Sequence, residues 1–437
     1  MAAPKTFSEK CWISFKRQVL FRLDLVLALA LMGAWFVVLL PVAALRLAGQ
    51  WVLVSLRVLS AGALAWEGRE VVLFSFEGHK VAPTRVRCYH FCDHLKKIGV
   101  NASVYAYWDR FRTLHHFPFP FRRIWEVEKM IYNFIAFWEL LPKGRMIIFE
   151  QRPNYDFLVP LALKLVNGSR IVMDIDDWIL DYRVFGTVQV KKLFDFFASY
   201  CDTCVVSSRD LEDRIGRHFR NIPVIPTYVD IEKFQPVDAP RTPGQPVLFS
   251  WVGTVFQDFT YDNVMFMVES FALACEELKK RGEYHREALK LSIVGGGDFY
   301  KRVQEQMATR FAEYNMEAPG WLAPDQMPAY LAAMDVGLYC LVEPSHFHKS
   351  KSPTKVFEYM ACAKPTISTI VGEAPYFLEH GETGLLARDM QQFAQSMVEL
   401  FLSGEKRKAM GAAGRRAVEQ RFNLDRACAE LKTVLLS

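Results

Sequence analysis

Short apolar runs alternate with helical stretches along most of the chain after residue 66, and this alternation constrains the fold more than any other feature. The runs are a few residues long and rich in β-branched side chains, as in strands that are covered on both faces. Up to residue 207 the predicted order is strand 71–76, helix 85–98, strand 102–107, strand 146–149, helix 157–165, strand 170–174, helix 191–199 and strand 203–207. This order predicts a doubly wound α/β domain with ligands at the carboxyl ends of its strands.

A second series of the same kind follows a segment rich in proline and glycine. Residues 238–246 interrupt both periodicities and are typical of a linker. The predicted elements beyond it are strand 247–252, helix 263–281, strand 289–294, helix 299–313, helix 327–334, strand 336–341, helix 355–362, strand 365–370 and helices from residue 390. We therefore predict an N-terminal segment (1–67) and two α/β domains (68–240 and 246–437), with a ligand in the cleft between them.

The N-terminal segment contains an uncharged apolar run. Leu25 to Leu45 is 21 residues long, which at about 1.5 Å per residue roughly matches a hydrocarbon core of ~30 Å. Cations outnumber acids before it, so the positive-inside rule predicts a cytoplasmic N-terminus. A second apolar stretch, Leu47 to Trp66, follows, and Pro41 interrupts the first run near its end. We expect a hairpin, a re-entrant pair or an interfacial helix rather than one crossing; a buried core helix is the alternative.

Composition excludes two broad classes. With 51% hydrophobic residues, 23% charged residues and a net charge of +5, the chain is neither a disordered tail nor a polycationic nucleic-acid binder. The 9 cysteines show no disulfide framework. We therefore expect a globular protein that contacts membrane lipids and no nucleic acid.

The most specific motif is Ser352-Pro-Thr-Lys-Val-Phe-Glu-Tyr-Met-Ala-Cys-Ala-Lys-Pro-Thr-Ile-Ser. Together with the order of elements from about Val71 to Leu435, it resembles the helix-and-strand signature of the retaining glycosyltransferases of family 4 (group 1), which have the GT-B fold. The resemblance implies two Rossmann-like domains facing a cleft, here preceded by membrane-associated helices. It also implies a nucleotide-sugar donor on the second domain.

The chemistry of the motif fits a diphosphate. Pro353 favours a first helical turn, so the N–H groups of Thr354 and Lys355 and the positive helix end can receive phosphate oxygens, with Ser352 beside them. Lys355 adds a full charge. The resemblance implies that Glu358 accepts hydrogen bonds from the ribose and acts at the catalytic centre. Taken alone, the same residues also fit a capped helix with solvated Lys and Glu side chains.

Glycines end the first two strands of the second domain. Gly253 and Thr254 end one, and Gly295 and Gly296 end the next. The resemblance implies that these glycines let the backbone approach the donor phosphates and that Trp321 borders the base. A tight turn explains the glycine triplet about as well.

The first domain carries a candidate acceptor loop. Gly78 and His79, followed by Arg85 and Arg87, resemble the glycine loop and helix start that face the acceptor. The two arginines can steer a phosphate-bearing acceptor, or they coat an exposed helix.

A group of carboxylates follows a predicted strand of the first domain. We expect Asp176 or Asp177 to orient hydroxyls of the acceptor or the sugar, and we include both as candidate catalytic residues. An acidic helix N-terminus is the alternative. Carboxylates also suit Mg²⁺ or Mn²⁺, but the resemblance implies no obligatory metal or cofactor, and we predict no metal site.

Two departures from the family pattern concern charge. Ser350 stands where the family usually has a glutamate, and no basic pair lies between Thr254 and Asn263. The candidates for neutralising the leaving diphosphate are then Lys349, Lys351 and Lys355.

Aromatic and basic residues interleave between residues 105 and 141. The aromatics are Tyr107, Trp108, Phe111, Phe117, Phe119, Phe121 and Trp125, and the cations are Arg110, Arg112, Arg122 and Arg123. This mixture is typical of a membrane interface, although it also fits stacked RNA bases or the core of a long insertion.

The sequence therefore predicts a membrane-associated retaining glycosyltransferase. Its donor is a nucleotide sugar and its acceptor a lipid-linked or membrane-proximal glycan, at the cytoplasmic face of a membrane such as a bacterial inner membrane. A nucleotide-sugar epimerase and a scaffold of this fold that binds no donor are the alternatives.

Overall fold

The structure is a computed structural model, and it divides the chain into two compact units. Unit 1 comprises Met1–Val206, Glu212–Ile225 and Cys428–Ser437, and unit 2 comprises Ser207–Leu211 and Pro226–Ala427. The residues that it describes are 23–24, 26–35, 37–42, 44–46, 48, 66, 68–111, 125–152, 155–178, 183–184, 188–219, 222–237, 244–343 and 345–437. The predicted domain limits (1–67, 68–240 and 246–437) remain a prediction. Each predicted domain is one continuous range, whereas each unit combines separate ranges of the chain.

Unit 1 is built on a five-stranded parallel sheet with the order β2-β1-β3-β4-β7. The strands are β1 Val71–Ser75, β2 Ala102–Ala106, β3 Ile147–Gln151, β4 Arg170–Ile175 and β7 Thr203–Val206, and β5 Arg183–Val184 pairs with β6 Val188–Gln189 in a separate antiparallel ribbon. Every residue of β1, β3 and β4 is buried, which explains their continuous apolar runs.

The helices of unit 1 include one long N-terminal helix. They are α1 Val26–Arg46, α2 Ala82–Thr84, α3 Phe91–Lys97, α4 Tyr107–Arg110, α5 Trp125–Leu140, α6 Leu158–Asn167, α7 Val190–Ala198 and α8 Arg209–Ile215, the last running across the limit between the units. A π-helical turn, Arg85–His90, joins α2 to α3, and 3-10 turns lie at Leu141–Lys143, Tyr155–Phe157 and Gly216–His218.

Helix α1 is the one candidate membrane span among the described residues. Its 21 residues are long and apolar enough to cross a bilayer by length and composition, a property shared with signal sequences and with core helices. The second apolar stretch, Leu47 to Trp66, lies outside the described residues except at positions 48 and 66. The expected hairpin therefore stays a prediction.

Unit 2 is built on a six-stranded parallel sheet with the order β10-β9-β8-β11-β12-β13. The strands are β8 Val247–Thr254, β9 Leu289–Gly296, β10 Met316–Gly320, β11 Val336–Tyr339, β12 Thr366–Thr369 and β13 Gly384–Ala387. The helices are α9 Asp258–Lys280, α10 Tyr300–Thr309, α11 Met327–Ala333, α12 His346–Ser350, α13 Thr354–Ala361, α14 Met390–Leu402, α15 Gly404–Gln420 and α16 Leu424–Leu436, of which α16 ends in unit 1. Two 3-10 turns lie at Arg286–Ala288 and Ala374–Tyr376.

Local signals explain where several of these helices begin. Gln257 and Thr260 form a capping box at the start of α9. The Asp389 carboxylate accepts a hydrogen bond from the N–H of Gln392 (2.8 Å) before α14, and Ser403 Oγ accepts one from the N–H of Lys406 (3.1 Å) before α15. The apolar faces of α9 and α14 pack against the sheet in one core.

Candidate functional site

The glycines predicted to bind the donor lie side by side at the carboxyl edge of the sheet in unit 2. Gly253 pairs with Gly295, and Thr254 pairs with Gly296, across β8 and β9. A Cβ atom on Gly295 would lie 1.9 Å from the carbonyl oxygen of Gly253. Packing therefore requires a glycine at position 295, whichever ligand the edge binds.

Lys355 extends over the same edge from the first turn of α13. Its Cε lies 3.2 Å from the position that a Cβ on Gly253 would occupy, and its Nζ lies 5.7 Å from the ring centroid of Trp251. Burial and the neighbouring Lys351 lower the pKa of Lys355 to about 8, against the opposing effect of Glu358. An ammonium that is poorly hydrated and close to a second cation favours an anionic ligand.

The start of α13 differs in one detail from the expectation. The N–H of Thr354 already donates to the carbonyl of Ser352 (2.9 Å), and the Ser352 hydroxyl accepts from the N–H of Thr227 (3.0 Å). The prediction that the N–H of Thr354 is free is therefore wrong. Pro353 precedes the helix instead of occupying its first turn. The contribution of the Lys355 N–H stays a prediction.

The remaining predicted donor residues are Glu358, on the same helix as Lys355, and Trp321, directly after β10. Glu358 is half-buried one turn beyond Lys355 on α13. Trp321 directly follows β10 and is 64% exposed, and a ring carbon lies 3.6 Å from the position of a Cβ on Gly296. An exposed indole beside the strand edge provides an apolar face on which a flat ring can stack.

Helix α12, which precedes α13, is anchored by a histidine that the sequence analysis did not single out. His348 is buried, its Nδ1 lies 2.5 Å from the carbonyl oxygen of Glu343, and its Nε2 lies 3.5 Å from the amide nitrogen of Asn263. Burial lowers the pKa of His348, which favours the neutral ring. The Ser350 hydroxyl, also buried, donates to the carbonyl of Phe347 (3.1 Å).

Charged side chains meet at the carboxyl edge of the sheet in unit 1. Arg152 directly follows β3, and Asp176 and Asp177 directly follow β4, which is the neighbouring strand. The Arg152 guanidinium bonds both carboxylates. Its Nη2 donates to Asp176 Oδ2 (3.1 Å) and, at a shorter distance, to Asp177 Oδ2, while its Nε donates to Asp176 Oδ1. One cation thus fixes the orientation of both predicted carboxylates.

Arg152 is a candidate site residue that the sequence analysis missed. Its φ is +51°, a region that favours glycine. Burial acts to lower the pKa of Arg152, but the two aspartates and Glu77 outweigh it and raise the pKa. The signal that could have identified Arg152 is its position immediately after a fully buried strand.

Glu77 is the third carboxyl at this edge, and it follows β1. Burial raises the pKa of Glu77, and the charges of Asp176 and Asp177 add to this shift while Arg152 opposes it. Glu77 therefore holds a proton more readily than an ordinary glutamate, which suits a group that exchanges a proton or a hydrogen bond with a hydroxyl.

The predicted acceptor loop is held by an aspartate. A Cβ on Gly78 would lie 2.3 Å from Asp109 Oδ1, and the N–H of His79 donates to Asp109 Oδ2 (2.7 Å). Tyr89 donates to the same carboxylate, and its ring meets the exposed His79 ring edge to face. Arg85 reaches the carbonyl of His79 at 3.5 Å, so it lies beside this loop.

Arg87 needs a correction. It is neither exposed on a helix nor available to an acceptor, since it is fully buried and paired with the equally buried Asp174. Its Nε lies 3.0 Å from Asp174 Oδ2, and its Nη1 donates to the carbonyl of Ile225 (2.6 Å). The π-helical turn from 85 to 90 includes Arg87, whose side chain is in the interior of unit 1. It is therefore a structural residue.

Much of the aromatic and basic segment falls outside the described residues, which resume at Trp125. Tyr107 belongs to the core of unit 1, and Phe111 stacks on Tyr132 at 4.4 Å. Arg110 pairs with Glu139 (2.7 Å). No group of three or more His, Cys, Asp or Glu side chains in the described ranges is placed to hold a metal ion, and the predicted lack of an obligatory metal stays a prediction.

The two parallel sheets, with helices on their faces, match solved structures of GT-B glycosyltransferases. Sucrose-phosphate synthase from Thermosynechococcus elongatus aligns with a TM-score of 0.62 and 16% identity, over 84% of this chain and 98% of that one. Anabaena HepE in complex with UDP-glucose aligns with a TM-score of 0.60 and 14% identity, over 84% of this chain and all (100%) of that one. The predicted fold class is confirmed.

The family model matches part of the second unit, and two curated relatives align with about a third of the chain. Residues 247–403 match the family model of the Glycosyl transferases group 1, which confirms the resemblance to that group for this part of the chain. The chain is 28% identical over 148 residues to the GDP-mannose-dependent alpha-(1-6)-phosphatidylinositol monomannoside mannosyltransferase of Mycobacterium tuberculosis. It is 31% identical over 147 residues to the N-acetyl-alpha-D-glucosaminyl L-malate synthase of Bacillus anthracis. These alignments cover 33% of this chain and 38% and 36% of the relatives.

Proposed function

We propose that the protein is a membrane-associated retaining glycosyltransferase, which transfers a sugar from a nucleotide-sugar donor to a lipid-linked or membrane-proximal glycan. The position of Lys355 over the Gly253–Gly295 edge of a group 1 domain carries the proposal. This arrangement places a cation beside two glycines, where phosphate oxygens can approach the backbone, as a diphosphate requires.

The donor half of the proposal assigns one role to each part of unit 2. Lys355, assisted by Lys351, neutralises the diphosphate. The glycine edge admits its oxygens, Glu358 binds the ribose and Trp321 borders the base. A neighbour in fold supports a nucleotide: HepE has been solved in complex with UDP and with UDP-glucose. The mannosyltransferase relative uses GDP-mannose, so UDP and GDP are the two probes.

The acceptor half lies in unit 1. Arg152 holds Asp176 and Asp177 in fixed orientations, where their remaining lone pairs can accept hydrogen bonds from sugar or acceptor hydroxyls. In the reaction, the acceptor oxygen forms the new glycosidic bond as the bond between the anomeric carbon and the donor phosphate breaks. The acceptor proton passes to the donor phosphate oxygen, and the nucleoside diphosphate leaves. No covalent nucleophile is assigned.

Donor binding is tested by thermal stabilisation. A ligand that binds the folded chain stabilises it by roughly 2.7 kcal/mol at a hundred times its Kd, so the melting temperature should rise with the concentration of either UDP or GDP. A scaffold that binds no donor would show no rise with either nucleotide. The sugar and acceptor are then identified by mass, from nucleotide sugars incubated with membrane lipid extract. Conversion of the nucleotide sugar without an acceptor would indicate an epimerase.

The carboxylate roles are tested by Asp177→Asn. We expect sugar transfer to fall roughly a hundredfold, with stabilisation by the nucleoside diphosphate unchanged, because the substitution removes a charge from unit 1 and leaves the Arg152–Asp176 pair in place. Asp93→Asn, on the exposed face of α3, is the matched control and should transfer sugar at the normal rate. Normal transfer by Asp177→Asn would remove this residue from the catalytic centre.

The location of the enzyme forms part of the proposal. The cations before α1 favour a cytoplasmic N-terminus, and nucleotide sugars made in the cytosol require the two units on the same side. We therefore propose the cytoplasmic face of a membrane, such as a bacterial inner membrane, with the oligomeric state open.

A further inference from the structure

Helix α1 packs lengthwise on the rest of unit 1. The positions that contact the unit are Ala28, Met32, Trp35 and Leu39, which are spaced four, three and four residues apart and so form one stripe. The Trp35 ring meets the Phe137 ring of α5 edge to face at 5.6 Å. A second kind of contact fixes the start of the stripe.

That contact is a hydrogen bond between the beginnings of the two helices. The buried Asp24 carboxylate, two residues before α1, accepts a hydrogen bond from the N–H of Val127 in α5 (3.0 Å). Since Asp24 contacts Val127 and Trp35 contacts Phe137, α1 and α5 run side by side in the same direction for about three turns.

Outside this stripe, most of the described residues from 23 to 45 are apolar and exposed to solvent. The exposed large side chains are Leu23, Val26, Leu27, Leu29, Leu31, Val37, Val38, Leu40, Val42 and Leu45. Such an extended apolar patch on a globular unit indicates a binding surface for another apolar phase.

Helix α5 adds its own apolar stripe next to α1. Ile131, Phe134 and Trp138 are 48%, 52% and 54% exposed and stand three and four residues apart, on one face of the helix. Ile131 and Trp138 directly follow Met130 and Phe137, the two α5 residues that contact α1, so the stripe borders the contact between the two helices. Indole and phenyl rings beside an aliphatic surface are typical of the bilayer interface.

Polar groups on α5 restrict how α1 meets a bilayer. Glu139 of α5 forms its ion pair with Arg110 at the surface of the unit. If α1 crossed the bilayer while packed on α5, this pair and the adjoining sheet would enter the hydrocarbon, where polar and charged groups are costly. An orientation in the plane of one leaflet avoids this cost.

We propose that α1 and the Ile131–Phe134–Trp138 stripe of α5 form one surface that lies in a single leaflet, with α1 in the membrane plane. The occupant is a bilayer with anionic lipids, because five cations precede α1 (Lys5, Lys10, Lys16, Arg17 and Arg22) and Arg46 ends it. The inference rests on the membrane association in the proposed function and adds its geometry and the residues of α5.

Binding of the full chain to vesicles tests this arrangement. The probes are vesicles of phosphatidylcholine with one quarter phosphatidylglycerol, assayed by flotation. Phe134→Glu and Trp138→Glu should each bind roughly tenfold more weakly than the unsubstituted chain, because each replaces an aromatic ring that would enter the lipid with a charged group. Leu273→Glu, an exposed apolar position on α9 of unit 2, is the control and should bind normally.

Three outcomes would be informative. If both α5 variants bind like the unsubstituted chain, α5 does not reach the lipid and α1 acts alone, as in a crossing, so the inference is overturned. If the unsubstituted chain does not bind vesicles, the membrane association itself fails. Stabilisation by UDP or GDP, measured on the same variants, should be unchanged, which shows that the units are folded and tests donor binding separately.

Discussion

Replacing Lys355 with alanine should lower the rate of sugar transfer about a thousandfold. The departing diphosphate develops negative charge in the transition state, and the Lys355 side chain lies against Gly253, which pairs with Gly295 at the strand edge. Glu358→Ala should also weaken donor use strongly through the loss of ribose contacts. Steady-state rates with the donor identified in the mass screen measure both effects.

A matched control separates the site from general charge. Lys301→Ala removes a cation from an exposed position of α10 in the same unit and should leave transfer unchanged. Normal donor turnover in both Lys355→Ala and Glu358→Ala would show that the donor site is elsewhere.

The pH dependence of donor binding should follow the titration of Lys355. Because the pKa of Lys355 is about 8 in the unliganded protein, and a bound diphosphate raises it, binding takes up a proton above pH 8. Affinity for the nucleoside diphosphate should therefore be full below pH 8 and fall as the pH rises, by up to about tenfold per pH unit. Titration calorimetry from pH 7 to 9.5 measures this, and Lys355→Arg, which stays charged, should lose the dependence.

The largest effect on stability is expected from Arg87→Met. The change leaves the Asp174 carboxylate buried without its cation and the carbonyl of Ile225 without its donor. Breaking such a pair from one side costs about 3–5 kcal/mol, so the urea midpoint of unfolding should fall sharply. Arg85→Met, two residues earlier and with long hydrogen bonds of 3.5 Å to the carbonyls of His79 and Lys80, should change the free energy of unfolding by about 0.5 kcal/mol.

The double variant Arg87→Met/Asp174→Leu provides a stricter test of the pair. Removing both charges restores an apolar interior of similar volume, so most of the lost stability should return. If the double variant is as unstable as the sum of the single variants, the cost comes from packing and not from an uncompensated charge.

Most of the regular elements could be predicted from local patterns. In unit 1, β1 to β4 and β7 coincide with predicted strands, and in unit 2 the same holds for β8, β9, β11 and β12. The strands at the two ends of the sheet in unit 2, β10 and β13, were missed. β10 (Met316–Gly320) contains a proline and is only partly buried, and β13 (Gly384–Ala387) is four residues long, so neither produces a strong period.

Helix α5 was missed for a different reason. Its residues were interpreted only as part of an aromatic and basic segment, because apolar side chains occur on more than one face of the helix. The structure explains this pattern: Phe137 faces α1 and the core, whereas Phe134 and Trp138 are exposed. A single sequence does not distinguish a core-facing ring from an exposed one.

The sequence by itself determined the two α/β series, the glycines that end β8 and β9, and the Lys355 motif, because each of these depends on a local pattern of residues within one element. Only the tertiary structure determined that Arg152 holds Asp176 and Asp177, that Arg87 is buried against Asp174, and that α1 packs along α5. Arg87 and Asp174 are 87 residues apart, and Arg152 and Asp176 are 24 apart. Contacts between such positions depend on how the strands are ordered in the sheet and how the helices pack, and no local pattern of side chains encodes that order.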